Sequence, residues 1–318
     1  MLAPLPRRTL TLTTLFLTLP TLWLASPVLA LIAGVSDLVR GTSALRALAF
    51  ILALVTLEAC GILGFCLIRI RCALSRQSPL LPLFRLQEWW ALRVQQSLVG
   101  AFSLRLDVQT ELPETGPLIV LPRHVSMADS IVPISQVTSP MGLLPRYVLK
   151  EELKMAPCMD VVGSALPNAF VRRYTGSPKQ ISKVTQLTEG MHDKTALVLF
   201  PEGTRFEEKV RDKLMSRPKT AERARHFKRV LPPRGGGVLA LLSTCDADVL
   251  LVAHVGLEGV TRMHDLLNGS LVGNTIYVRT KLFRRSEIPT DTPAQRAWLD
   301  TAWEWVDHTL GAIYEQSA

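Results

Sequence analysis

From Leu10 to Val35 the chain runs 26 residues without a charged side chain. A short polar break around Asp37, Arg40 and Arg46 follows. A second apolar stretch then runs from Ala47 to Ile68, interrupted only by Glu58. Each stretch exceeds the roughly 20 residues needed to cross a hydrocarbon core. Residues 1–76 are therefore expected to form an apolar helical hairpin in the membrane. A cleavable leader would suit the small residues at 25–30. Its apolar region would be shorter, however, and no second stretch would follow at once. Arg7 and Arg8 precede the first stretch, and Arg69, Arg71, Arg76 and Arg85 follow the second. The positive-inside bias puts both ends, and the rest of the chain, on the cytosolic face. Pro20, Pro27 and Glu58 also allow a re-entrant or interfacial hairpin, which leaves the later residues on that same face. Glu58 is costly in lipid and is expected to face the partner helix or to be protonated.

Residues 77–318 read as a separate globular domain. Gln77–Leu83, with two prolines, reads as a linker, and Trp89 and Trp90 open an amphipathic helix suited to the headgroup zone. Apolar runs at Leu118–Leu121, Ala196–Phe200, Val249–Val255 and Thr275–Val278 predict strands. Ser177–Met191 and Val238–Ser243 predict helices. Strands alternating with helices argue for an α/β fold: a wound mixed sheet flanked by helices. Five scattered cysteines without metal-ligand spacing point to a reduced compartment and to no bound metal. A net charge of +9 calls for an acidic partner, whether nucleic acid, anionic membrane or phosphorylated substrate.

Two segments carry the residues of chemistry, each directly after a predicted strand. Arg123-His124-Val125-Ser126-Met127-Ala128-Asp129 sets a histidine and an aspartate five apart, one turn from each other on a strand-to-helix connection. An aspartate that accepts from one ring nitrogen leaves the other free as a general base. Phe200-Pro201-Glu202-Gly203-Thr204-Arg205 adds a glycine for close backbone approach, with threonine and arginine as donors to phosphate. Either segment alone reads as an ordinary turn; at two strand ends of one α/β sheet they make a site.

His-X4-Asp followed by Phe-Pro-Glu-Gly-Thr-Arg resembles the glycerolipid acyltransferase family, the enzymes that make phosphatidic acid from 1-acylglycerol-3-phosphate and their lysophospholipid-acylating relatives. The resemblance extends to Tyr147–Pro157, to Asn168-Ala-Phe170-Val-Arg172-Arg173, and to Val230–Gly237. Ile288-Pro289 and Trp298-Leu299 resemble the tail of a branch that includes the larger eukaryotic-type lysophospholipid acyltransferases. Three departures stand out. Arg123 stands where the family often has asparagine, Ala169 precedes the aromatic of the second block, and Val252-Ala253-His254-Val255 lacks the usual proline. His254 could line the site, but a core histidine is the more ordinary reading.

The resemblance implies His124 as base on an acceptor hydroxyl, Asp129 as its orienting partner, and Glu202, Gly203, Thr204, Arg205 and Arg173 or Arg172 around the acceptor. It also implies acyl-CoA or acyl-carrier protein as co-substrate and no cofactor. Cys158 is a poor candidate nucleophile, because a thioester is already activated. Residues 207–234 hold ten basic side chains against four acidic ones. Without a recognition motif or interleaved aromatics, such a run argues against nucleic acid and for anionic headgroups or the phosphates of coenzyme A. The expected activity is transfer of a fatty acyl chain to 1-acylglycerol-3-phosphate on a membrane. The alternatives are an acceptor with a larger headgroup, or a catalytically idle lipid-binding scaffold.

Overall fold

The computed structural model describes residues 3–172 and 178–317. Three long helices come first: α1 (Pro4–Arg40), α2 (Ala44–Ser75) and α3 (Leu80–Phe102). They are followed by β1 (Arg105–Gln109), β2 (Leu118–Pro122), α4 (Ile131–Pro133), β3 (Leu144–Lys150), α5 (Pro157–Val161), β4 (Ala169–Val171), α6 (Pro178–Thr185) and β5 (Thr195–Val198). The remainder is α7 (Glu208–Met215), α8 (Pro218–His226), α9 (Gly235–Leu242), β6 (Asp248–Val255), β7 (Thr275–Phe283) and α10 (Thr292–Ser317). The chain divides into two units, one of residues 1–105, 149–168 and 262–274, the other of residues 106–148, 169–261 and 275–318.

In the first unit, α1 and α2 are the two helices long and apolar enough to cross a membrane. Prolines in the first turn of α1 suit a position where no amide partner is needed. The helix stops at Gly41, whose φ of 63° is the left-handed C-terminal cap. Asp37 then caps the next helix, its two carboxylate oxygens accepting the Ala44 and Leu45 amides at 2.6 and 3.0 Å. Glu58 faces no lipid: it accepts the Cys158 amide at 2.8 Å at the start of α5. Arg7 grips the fully buried Asp160 of α5 with two hydrogen bonds, 2.7 and 2.8 Å. The turn between α1 and α2 is also held. Ser43 donates its amide to the Leu267 carbonyl at 3.1 Å and its hydroxyl to the Leu266 carbonyl at 2.7 Å. The expected linker is mostly helix, since α3 begins at Leu80 and buries Leu83 and Phe84.

The second unit is built on a mixed seven-stranded sheet in the order β1-β7-β6-β2-β5-β3-β4. β2 pairs parallel with β5 and β6, β3 pairs parallel with β5, and β6 with β7 antiparallel. All five residues of β2 are buried, which is why they form an unbroken apolar run with no alternation. One face is covered by α9 and α10, where Val238, Leu241, Leu299, Trp303, Val306 and Leu310 meet Leu197, Val249 and Leu251. Trp303 satisfies its buried indole by donating to the Leu231 carbonyl at 3.1 Å.

Candidate active site

Both motif segments leave neighbouring parallel strands, β2 and β5, at their C-terminal ends, where an α/β sheet presents its loops. The His124–Asp129 segment is a loop, and helix begins only at Ile131. The aspartate therefore reaches back across the strand-to-helix connection without a helical turn between it and the histidine. Its Oδ2 accepts from the Val125 and Ser126 amides at 2.5 and 2.8 Å and lies 2.9 Å from His124 Nδ1. Those amides fix the carboxylate, and the carboxylate fixes the imidazole.

Asp129 is fully buried. Burial alone would push its carboxyl up, but the hydrogen bonds with His124 and the Ser126 amide outweigh burial and hold it below the usual carboxylate range. It is therefore ionised, and its acceptor role makes His124 Nδ1 the protonated ring nitrogen. Nε2 is left for chemistry on a side chain 21% exposed. The Phe200 ring packs against the imidazole, with centroids 4.7 Å apart and planes inclined by 42°.

Glu202 is nearly inaccessible and spends both carboxylate oxygens on backbone. Oε1 accepts the His124 amide and Oε2 the Leu231 amide, each at 2.8 Å. It thus braces the histidine loop against residues 229–234. Burial pushes its carboxyl up to about 8, against the pull of those two amides and of Arg123. Gly203 has a φ of +67°, which favours glycine at this turn, and the Arg234 side chain packs close against it, 3.0 Å from where a Cβ would stand. Arg205 is half-buried and donates Nη1 to the Thr261 carbonyl. Thr204 is buried in the same loop. Arg172 is exposed on the chain just after β4, and Arg173 lies outside the described residues.

The sequence singled out Arg123 and His254 separately but carried no signal that joins them, or Glu258 and Tyr314, into the network behind the loop. Arg123, 1% exposed, donates Nη1 to the His254 carbonyl at 2.8 Å and to Glu258 at 2.5 Å, and Nη2 to the Arg229 carbonyl at 3.2 Å. Tyr314 donates to the same Glu258 oxygen at 2.9 Å. His254 is fully buried at the end of β6, within 3.6 Å of Asp129 Oδ1. Cys158 belongs to the other unit. Burial pushes its thiol far up, and its Sγ donates to the Glu58 carbonyl at 3.3 Å, so it offers no thiolate.

An acyltransferase family model matches residues 104–252, a segment that holds both motif loops. No curated protein matches the chain. Among solved structures the chain is similar to the 1-acyl-sn-glycerophosphate (LPA) acyltransferase PlsC of Thermotoga maritima. The two are 15% identical with a TM-score of 0.53, over 85% of this chain and 98% of that one. At that identity the likeness is one of fold. The matched segment, which holds both motif loops, carries an acyltransferase domain, and the likeness to the solved structure extends to the sheet on which those loops stand.

Proposed function

We propose that the protein transfers a fatty acyl chain from acyl-CoA, or from acyl-carrier protein, to the free hydroxyl of 1-acylglycerol-3-phosphate, giving phosphatidic acid. The observation that carries this reading is the His124–Asp129 pair: one ring nitrogen is held by a buried carboxylate and the other is open. His124 Nε2 takes the acceptor's hydroxyl proton as that oxygen attacks the thioester carbonyl carbon. The tetrahedral intermediate then expels the thiolate, which receives the proton from the imidazolium. Asp129 stabilises the imidazolium in between, and no acyl-enzyme is required. Incubating membranes that contain the protein with labelled acyl-CoA and a panel of lysolipids tests the reading. A phosphatidic acid product supports it, and no product with any lysolipid overturns it. A second reading, an acceptor with a larger headgroup, is favoured by Arg205, whose Nη1 is already committed to the Thr261 carbonyl. The same panel separates the two.

The membrane attachment we infer is an interfacial hairpin on the cytosolic face. Large apolar side chains such as Leu24, Leu31, Leu38 and Leu74 are exposed on α1 and α2 and need a non-aqueous surrounding. Yet α1, 37 residues and therefore about 55 Å long, is tied near its start to Asp160 and just past its end to Leu266 and Leu267. A spanning hairpin would hold those two segments on opposite sides of the bilayer, and neither is flanked by a stretch able to cross it. A cysteine introduced at the exposed Arg40, in a variant lacking Cys60, Cys66 and Cys245 so that the remaining cysteines are buried, should react with an impermeant maleimide added to the cytosolic side. Reaction only from the opposite side would establish a spanning hairpin.

A further inference from the structure

The Asp129 carboxylate is used unequally. Oδ2 serves His124 and two amides, while Oδ1 is buried without a hydrogen bond among the described residues. The group facing Oδ1 is the fully buried imidazole of His254, whose Nε2 stands 3.6 Å away. That same Nε2 lies 3.1 Å from the Arg123 carbonyl. A carbonyl only accepts, so Nε2 carries the ring proton. Nδ1 is then a bare acceptor, and it too is buried without a hydrogen-bond partner among the described residues. A histidine that served packing alone would leave fewer polar atoms stranded, because burying an unpaired polar group is costly.

We propose that His254 is a positioning residue for the acyl-transfer site: it stands behind Asp129, so that two imidazoles share one carboxylate and only His124 meets substrate. The inference rests on the reading of His124 as general base. The Nε2 proton is poised between the Arg123 carbonyl and Oδ1, and a movement of under about 1 Å brings it within hydrogen-bond reach of the carboxylate. Held from behind in this way, Asp129 does not rotate Oδ2 away from His124 during proton transfer. The charge on His254 matters as much as its place. Burial and the Arg123 guanidinium keep it from protonating, against the pull of Asp129 and Glu258. A neutral donor steadies the carboxylate without a second cation to oppose the imidazolium that forms on His124. A lysine or arginine there would hold the carboxylate and weaken the base together.

Two substitutions separate the roles. His254→Gln keeps an N–H donor at about the reach of Nε2, and His254→Leu keeps apolar bulk without a donor. Acyl transfer is read as kcat and as KM for each substrate. Independently of turnover, the pH at which His124 becomes reactive to diethyl pyrocarbonate is read by mass spectrometry of its peptide. His254→Leu should lower kcat at least about tenfold with little change in either KM, and should move the His124 reactivity profile to lower pH. His254→Gln should restore most of kcat and the wild-type profile. If His254→Leu is not recovered folded, His254→Met replaces it. The proposal is overturned if the donorless variant keeps wild-type kcat and profile. It is equally overturned if both variants lose activity while the His124 profile stays in place, which is the signature of packing. Should the wild type transfer no acyl group, the acyl-transfer reading fails, and the reactivity profiles alone decide whether His254 governs His124.

Discussion

Glu202 shows how a residue within a motif can act without touching a ligand. Its two oxygens are filled by the His124 and Leu231 amides, so what it contributes is the spacing between two loops. Its carboxyl is pushed up to about 8 by burial, and the folded protein therefore binds a proton there that the unfolded chain releases at ordinary carboxylate pH. Stability from this group is full below about pH 4.5 and is lost as pH rises through about 8. The Tm should fall between those limits. In Glu202→Gln, which starts lower because an amide cannot accept on both sides, that part of the pH dependence should vanish in thermal unfolding scans. His124→Ala removes the proposed base and little packing, and kcat should fall by on the order of 10²–10⁴-fold while the folded protein stays on membranes. A variant keeping more than about a tenth of the rate would remove His124 from its role. Arg205→Lys tests acceptor recognition, because lysine cannot copy the guanidinium fork. The acceptor KM should rise about tenfold or more with the donor KM unchanged, in kinetics with each substrate varied in turn.

Among elements, legibility followed burial. β2, β5, β6 and β7 could be read from apolar runs, and β7 only for its first four residues, because its second half alternates with Arg279 and Lys281. β1, with its mostly exposed Arg-Leu-Asp-Val-Gln, and the three-residue β4 lie at the sheet edges and carry no such run. β3 alternates strictly in burial, but Pro145 and the charges of Arg146 and Lys150 leave it without the continuous apolar run that marked the other strands. The motif loops were legible because each is contiguous. The links of His254 and Glu258 to those loops were not, since only the pairing of β2 with β6 brings them to residues more than a hundred positions earlier. Unit-one packing was equally hidden. Nothing in the five residues of α5 announces that Asp160 is the buried counter-ion of Arg7. Asp160→Asn leaves that guanidinium with half its partner and should cost on the order of 3 kcal/mol, measurable as a lower midpoint in detergent unfolding. An unchanged midpoint would show the pair to be dispensable.

For the molecule as a whole, the apolar hairpin is part of a packed body and is more than a tether. Ala59 and Ile62 of α2 bury Cys158, and Phe50 meets Phe102 edge-on at 6.4 Å between centroids. A chain starting at residue 77 should therefore aggregate rather than yield a soluble enzyme, because Phe84, Phe102 and Cys158 lose their cover. Recovery of a monodisperse, active truncation in detergent-free buffer would show that the later residues fold alone. The full chain should stay in the pellet through high-salt and carbonate washes, since attachment by apolar area does not depend on charge.

The bracing carboxylate also sets where such a chain can be recombined. Residues 123–129 and 200–206 are joined by the Phe206–His124 backbone bond as well as by Glu202, and residues 229–234 join them through the Leu231 amide, the Arg229 carbonyl and the Arg234–Pro201 bond. A chimaera that imports the second of these segments from a relative with another acceptor, and leaves the other two native, breaks several of those joints at once. Breakpoints that carry all three together keep these joints intact, so the three segments are exchanged as a set.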